Sequence, residues 1–342
     1  MPWSVTELIG PYRVARQLSN GGMANIFEVL ALNGTGRLAL KQSRPGENEK
    51  KSLETEYRVL SSIHHDGVVR AHTLGDAGDG TAYMTMDLLS GIHPLYFAQN
   101  LGPPGHPART IGVLGIIADI SAAVQALHDA GWIHRDIKSA NVMVLSDGRS
   151  ILIDPGAACL RSGHQHRGGF IGTRAYAAPE QMLGRMVDER ADVYALGVLS
   201  YRLLTGKKPY DATDTYQCLQ QKLSQDVPSV QAHCPELDQQ TTQLLQQMMS
   251  PDVCGRPSVA QVQQAMSNCQ MTPIDDPAHR RRLLLAIACS RQPVSSVVLQ
   301  QTIECSEDVL YAHLLSLMNE GLIRAADTGW RLRASSLQTE RP

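Results

Sequence analysis

The stretch WIHRDIKSANVMVLSDGRSILIDPG, residues 132–156, limits what this chain can fold into more than any other. VMVL and SILI are short apolar strand candidates, and the loop between them contains Asp147-Gly148, a pattern that predicts an antiparallel hairpin. A hairpin returns the chain to where it began. Asn141 at the head of one arm and Asp154 at the foot of the other are then brought together, with Asp136 and Lys138 just upstream. Two oxygen ligands, a further carboxylate and an ammonium in one small volume suit Mg²⁺ with a nucleotide phosphate completing its shell. Asp154-Pro155-Gly156 also reads as a simple turn, because Pro presets φ and Gly accepts what most residues cannot.

The flanking segments divide by periodicity. From Tyr12 to Asp87 the pattern is mainly strands: YRVARQL and NIFEVLAL around the turn-like SNGGMA, then RLALK, VVRAHTLG and TAYMTMDLL. One helix interrupts them between Glu49 and Ile63, with Leu53, Tyr57, Leu60 and Ile63 at helical spacing and the charged residues assigned to other faces. After the loop-like NLGPPGHPA the pattern turns helical, through IGVLGIIADISAAVQALHDAG, ADVYALGVLSYRLLTG, TTQLLQQMM and VAQVQQAM. Beyond MTPIDDP, RRRLLLAIA, SVVLQQTI and SEDVLYAHLLSLMNEG read as three helices, and LIRA and WRLR as two strands around a turn.

Charge is nearly balanced, 31 Lys and Arg against 33 Asp and Glu, so no global field demands a nucleic acid or a membrane as partner. Seven cysteines, an odd number without a Cys-x-x-Cys pair, fit a reducing, cytoplasmic setting. MPWSVTELIG lacks the basic flank of a secretory signal, and the longest apolar runs, Ile111–Ala118 and Leu283–Cys289, fall short of a membrane span. A soluble protein is expected.

HRDIKSAN at 134–141 resembles the H-R-D-x-K-x-x-N catalytic loop of eukaryotic-like (Hanks-type) serine/threonine protein kinases of the bacterial kind, and IDPG stands where they carry D-F-G. GTRAYAAPE at 172–180 is similar to their G-T-x-x-Y-x-A-P-E segment, DVYALG at 192–197 to their buried-aspartate helix, GRP at 255–257 to their late arginine, and RLALK to the Ala-x-Lys of their third strand. The resemblance implies an α+β fold of two lobes, a small β-rich N-lobe over 8–88 and a larger α-rich C-lobe over 89–268. It also implies transfer of the γ-phosphate of ATP, with Mg²⁺ or Mn²⁺, to Ser/Thr hydroxyls of protein substrates, with autophosphorylation. By role, Asp136 would orient the attacking hydroxyl, Lys138 would neutralise the γ-phosphate, and Asn141 and Asp154 would hold the metal. Lys41 would hold the α- and β-phosphates with Glu56 as its partner and Glu54 as the alternative. Gly21 and Gly22 would approach the phosphates; Ile26 and Ala39 would cover the adenine; the backbone of Asp87 and Leu89 would face it, with Met86 as gatekeeper. Thr173 would pack against Asp136 and Lys138, and Arg256 would pair with Glu180. Relatives of this kind are often paired with a metal-dependent phosphatase and phosphothreonine-reading domains.

Three departures stand out. Ser19 and Ala24 replace the outer glycines of the G-x-G-x-x-G loop, which predicts weaker nucleotide affinity. Between Asp154 and Thr173, Ser162 is the only hydroxyl, so Arg135 has one candidate phosphate partner there. The third is Pro155, in place of the phenylalanine that packs under helix C; it leaves the Asp154 carboxylate intact and alters switching more than chemistry. Cys159, His164 and His166 lack a visible fourth metal ligand and read as a solvated loop.

After a linker at 269–276, residues 277–333 resemble a winged helix, with 334–342 as a tail. Its third helix starts at Ser306, buries Val309, Leu310, His313, Leu314, Leu317 and Met318, and stops at Gly321. That helix has no Lys or Arg but carries Glu307, Asp308 and Glu320, which favours protein docking over DNA binding, although Arg280–Arg282, Arg324, Arg331 and Arg333 offer a basic edge. The alternative to an active kinase is a pseudokinase scaffold or kinase-like sensor coupled to that unit; retention of Lys41, Asp136, Asn141 and Asp154 together argues against it.

Overall fold

The computed structural model describes residues 8–21, 24–32, 36–78, 80–145, 148–161, 172–212, 214–224, 227–235 and 237–267, and then 282–284, 286–287, 290, 293–303, 310, 313–314, 317, 323–326 and 329–332. A six-stranded antiparallel sheet forms the N-lobe from β1 (Leu8–Ile9), β2 (Tyr12–Asn20), β3 (Ala24–Ala31), β4 (Arg37–Ser43), β5 (Ala71–Asp76) and β6 (Ala82–Asp87), in the order β1-β2-β3-β4-β6-β5. Ser19 and Asn20 pair with Ile26 and Asn25, so the turn predicted over SNGGMA is shorter than its composition suggests, closed by Gly21 N–H donating to the Ala24 carbonyl at 3.0 Å. Strand pairing outcompetes turn propensity there.

Helix α1 (Glu47–Ser61) packs on this sheet, with Glu47 and Glu49 in its first turn favoured by the helix dipole. Its buried face is Leu53, Glu56, Val59 and Leu60. The helix is where periodicity placed it, but the faces differ in two respects: Tyr57 is only half-buried, and Glu56 is in the interior. A buried charge needs a partner from outside its own helix, and apolar spacing carries no record of one.

The chain crosses to the C-lobe through β7 (Gly91–Ile92) and α2 (Pro94–Leu101), which starts on Pro94 with the His93 side chain accepting from Leu95 N–H. Asn100 and Leu101, read from sequence as loop, are the end of α2, and Pro107 starts α3 (Pro107–Asp129). Proline tolerates the first helical turn, so the Pro-rich connection is shorter than its composition implies. Among the described residues, Arg109–Asp129 alone is long and apolar enough by length and composition to cross a membrane, a length missed by counting uninterrupted apolar runs. Most of it is buried, and it packs against α2, α5 (Arg190–Thr205) and α8 (Val259–Ser267), as a core helix does.

The catalytic-loop stretch folds as the hairpin pattern predicts. β8 (Trp132–Ile133) leads into β9 (Val142–Leu145) and β10 (Ser150–Leu152), which pair antiparallel with Leu152 opposite Val142. β7 adds a third strand to that sheet, and β11 (Cys159–Leu160) pairs with β8. Then come α4 (Pro179–Met182), α5, α6 (Thr215–Leu223), α7 (Gln239–Met248) and α8. The core of the C-lobe is α5, whose residues from Ala191 to Tyr201 are all buried.

In the C-terminal part, α9 (Ser296–Ile303) and an antiparallel pair, β12 (Ile323–Ala326) and β13 (Gly329–Leu332), are tied by mutual backbone hydrogen bonds between Val294 and Trp330. Leu283, Leu284, Ile287, Leu299, Ile303, Leu310, Leu314, Leu317 and Ile323 are buried, as is His313. Ser306, Glu307, Asp308, Val309, Met318, Glu320, Gly321, Arg280, Arg281 and Arg333 lie outside the described residues.

Candidate active site

Two clusters meet between the lobes. In the first, β4 carries Lys41 and α1 carries Glu56: the Lys41 ammonium donates to both Glu56 carboxylate oxygens at 2.7 Å and lies 3.3 Å from Asp154 Oδ2. Glu56, not Glu54, is therefore the partner of Lys41. Burial opposes charge on Lys41, yet Glu56 and Asp154 outweigh it and hold its pKa above the ordinary value. Glu56 is 2% exposed. Its desolvation pushes the carboxyl up to about 7 despite Lys41. Asp154 also suffers from burial, but Lys41 and the Gly156 N–H, which donates to Oδ1 at 3.0 Å, hold it below the usual carboxylate range.

The second cluster comes from the catalytic loop. Lys138 Nζ donates to Asp136 Oδ2 at 2.5 Å and to Thr173 Oγ1 at 3.1 Å, while Thr173 N–H donates to Asp136 Oδ1 at 2.8 Å. Asn141 joins the clusters: its side-chain amide donates to the Asp136 carbonyl at 2.9 Å and the Asp154 carbonyl at 3.3 Å. The backbone does the same, since Ile153 N–H donates to the Asn141 carbonyl at 3.0 Å. This is the hairpin closure expected from VMVL and SILI.

The loop is anchored from below by Asp192 at the start of α5, which is fully buried and accepts from the backbone N–H groups of His134 at 2.9 Å and Arg135 at 2.8 Å, and contacts His128 Nε2 at 2.8 Å. These bonds offset its burial and keep its pKa below the ordinary range. Arg135 sits at φ 66°, a left-handed conformation rare outside glycine, held by Nε donating to the Ala157 carbonyl and by Gln181 Nε2 donating to its own carbonyl. Arg256 forms a two-pronged, buried pair with Glu180 at 2.6 and 2.9 Å, as expected.

Around the nucleotide position, Ala39 and Met86 pair across β4 and β6 and are buried, Ile26 lies opposite Lys41 on β3, and Asp87 ends β6, its N–H bonded to the Arg70 carbonyl. Leu89 is half-buried just beyond. Gly21 is at the turn between β2 and β3; Gly22, Ser162, His164 and His166 lie outside the described residues. Sequence reasoning passed over four groups that shape the site. Arg44 grips that turn through Asn20 Oδ1 and the Gly21 carbonyl. Gln181 holds Arg135, Tyr176 bonds both Ser139 and Arg202, and Lys222 holds the segment after Thr173. None of the four left a capping signal: Gln181, the N3 position of α4, accepts from Ala178 N–H at 3.0 Å, but the N-cap residue Ala178 carries no side-chain oxygen.

The hard-oxygen character of the donors fits a divalent cation. Asn141 commits its amide N–H group to two carbonyls, so its own oxygen is the atom left for a ligand, and Asp154 is partly exposed beside it. No cluster of three His, Cys, Asp or Glu side chains occurs among the described residues, so a cation at Asn141 and Asp154 would need phosphate oxygens or water as further ligands.

This constellation has counterparts. The family description "Protein kinase domain" matches residues 12–266. The chain is 31% identical over 272 residues to the serine/threonine-protein kinase pkn2 of Myxococcus xanthus, spanning 74% of this chain and 31% of that protein. It is 30% identical over 252 residues to the serine/threonine-protein kinase PknF of Mycobacterium tuberculosis, spanning 69% of this chain and 52% of that protein. It thus spans about half or less of these relatives' length. The crystal structure of the Mycobacterium tuberculosis PknI kinase domain superposes with a TM-score of 0.60 at 25% identity, covering 79% of this chain and all of that one. A family match that runs from Tyr12 to Met266, most of the chain, shows that the chain belongs to the protein kinase domain family.

Proposed function

We propose that this protein is a serine/threonine protein kinase that transfers the γ-phosphate of ATP, with Mg²⁺ or Mn²⁺, to hydroxyls of protein substrates, including its own. The observation that carries the reading is Asn141, which links the Lys41–Glu56–Asp154 cluster to the Asp136–Lys138–Thr173 cluster through two hydrogen bonds. Lys41, fixed by Glu56, holds the α- and β-phosphates; Asn141 and Asp154 hold the metal. A cation held by Asn141 and Asp154 would supply charge neutralisation at the phosphates. Asp136 accepts a hydrogen bond from the acceptor hydroxyl and orients it in line, while Lys138 screens the transferring group. The bond from Lys138 to Thr173 favours this reading, because it ties the catalytic aspartate to the segment that precedes Ala178-Pro179-Glu180.

Asp136→Asn is the test. Purified protein incubated with labelled ATP, each metal and a generic protein substrate should transfer phosphate, and the variant should lose about 10²–10⁴-fold in rate while still binding ATP. Equal, background-level label from both proteins would favour a scaffold without transfer.

For the C-terminal unit, with domain limits at 277–333, we propose a winged helix that docks protein, supported by α9, the β12–β13 hairpin and the Val294–Trp330 tie. A retarded band with random or promoter DNA at low salt would reverse that assignment. A cytoplasmic setting, a cognate phosphatase and a phosphothreonine-reading partner belong to the same proposal.

A further inference from the structure

Lys222 is 1% exposed, in the last turn of α6, and no ion pair among the described residues includes it. A long cation taken fully out of water without a carboxylate needs an explanation, because its burial must be offset by other polar groups. Three backbone carbonyls supply it. Nζ donates to Ala177 at 2.6 Å, Arg174 at 2.7 Å and Ala175 at 3.4 Å, matching the three N–H bonds of an ammonium to three acceptors. The rings of Tyr194 and Tyr210 lie 5.4 and 6.0 Å from the same nitrogen, adding cation–π attraction.

The carbonyls belong to one segment. Thr173, immediately before it, donates to Asp136 and accepts from Lys138, and the N–H groups of Tyr176 and Ala177 both close on the Thr173 carbonyl at 2.9 and 3.0 Å. At its far end Glu180 is locked by Arg256, and in the middle the Tyr176 hydroxyl bonds Ser139 and Arg202. Lys222 draws three carbonyls of this single turn inward, and Arg174 is its exposed side chain. Cys218 Sγ also donates to the Arg174 carbonyl, at 3.9 Å, while Lys222 reaches all three carbonyls of the turn.

We propose that Lys222 is a positioning residue for the protein substrate: it holds the turn Arg174–Ala177 in the shape against which the acceptor peptide lies beside Asp136. The inference rests on the phosphotransfer reading above. It is independent of the nucleotide cluster, since Lys222 contacts none of Lys41, Glu56 or Asp154 and acts only on the segment beyond Thr173. The charged and titratable groups around it are Tyr194 of α5, Tyr210 before α6, Cys218 on its own helix, and the Glu180–Arg256 pair.

The test compares wild type, Lys222→Met, which keeps length and removes the donors, and Lys222→Arg, which keeps donors and charge. KM for a protein substrate should rise about tenfold or more in Lys222→Met while KM for ATP stays within about twofold, and Lys222→Arg should restore most of the loss. Amide hydrogen exchange should quicken at 174–177 in Lys222→Met and stay unchanged at Lys41 and Glu56. Unchanged protein KM would overturn the proposal, and so would faster exchange spread evenly over the C-lobe, which marks a merely structural lysine. Absence of transfer by wild type would overturn the phosphotransfer reading and the substrate role together, whereas local exchange at 174–177 would still report whether Lys222 holds the turn.

Discussion

Single side chains in this protein do their work by being charged where water is absent. Glu56 is the clearest case: with its carboxyl at about 7, it is ionised above that pH and neutral below it. Protonation removes the charge that fixes Lys41, so ATP-dependent transfer should show an acid limb near pH 7 that flattens in Glu56→Gln, read from the pH profile of kcat/KM for ATP. Lys222 works in the opposite direction. Burial lowers its pKa from 10.5 to about 8, so between those values the native protein has released a proton that the unfolded chain keeps. Stability therefore rises with pH across that window, and the slope should be missing from Lys222→Met in denaturation series at successive pH. The buried tyrosines Tyr194 and Tyr210, whose pKa values are raised, oppose the trend only at more alkaline pH. Asp136, Asn141 and Asp154 were legible in the sequence because the VMVL–SILI hairpin brings them together, and Lys41 and Glu56 through the resemblance to the kinase family. Lys222 was not. Its partners are backbone carbonyls 45 to 48 residues away, and carbonyls carry no sequence identity.

At the scale of elements, helix contacts are set by close approach as much as by apolar stripes. Gly197 in α5 faces α7, and a Cβ there would stand 2.8 Å from Met249 Cγ and 2.9 Å from Met248 Cβ. Gly197→Ala gains helix propensity of about 1 kcal/mol. Overpacking costs about 1–3 kcal/mol, so the net effect should be a loss of order 1 kcal/mol in chemical denaturation. The segment after β10 is set by Pro155, which is buried and whose carbonyl accepts from Ala158 N–H at 2.8 Å. Because Asp154 keeps its contacts with Lys41 and Gly156 through its own carboxylate, Pro155→Phe should leave transfer within about tenfold, roughly 1.4 kcal/mol of barrier, in a single-turnover assay. A thousandfold gain would mean that the proline holds the site off. Helix α2 escaped the sequence reading because Pro94 and the Gly/Pro-rich run beside it mimic a loop, although a proline at the first position suits a helix start.

For the whole molecule, a nucleotide bound where the two clusters meet would couple to stability, since Lys41 and Glu56 come from one lobe and Asp136, Asn141 and Asp154 from the other. Mg·ATP at about a hundred times its Kd should stabilise the fold by about 2.7 kcal/mol, in Asp136→Asn as in wild type, and far less in Asp154→Asn, as thermal unfolding with and without nucleotide would show. Strand and helix periods in the sequence separate a β-rich first part from a helical second one, and the motif order from Lys41 to Arg256 carries the resemblance that implies two lobes and a candidate site, because these are local, one-dimensional signals. The pairs Lys41–Glu56 and Arg256–Glu180 were expected from the family resemblance, and the fold settled the choice between Glu56 and Glu54 and supplied the backbone partners of buried charges. That Asp192 accepts from the backbone of His134 and Arg135 and that Lys222 holds the turn after Thr173 follow from contacts made across the fold, where desolvation makes a partner obligatory and chain order is silent.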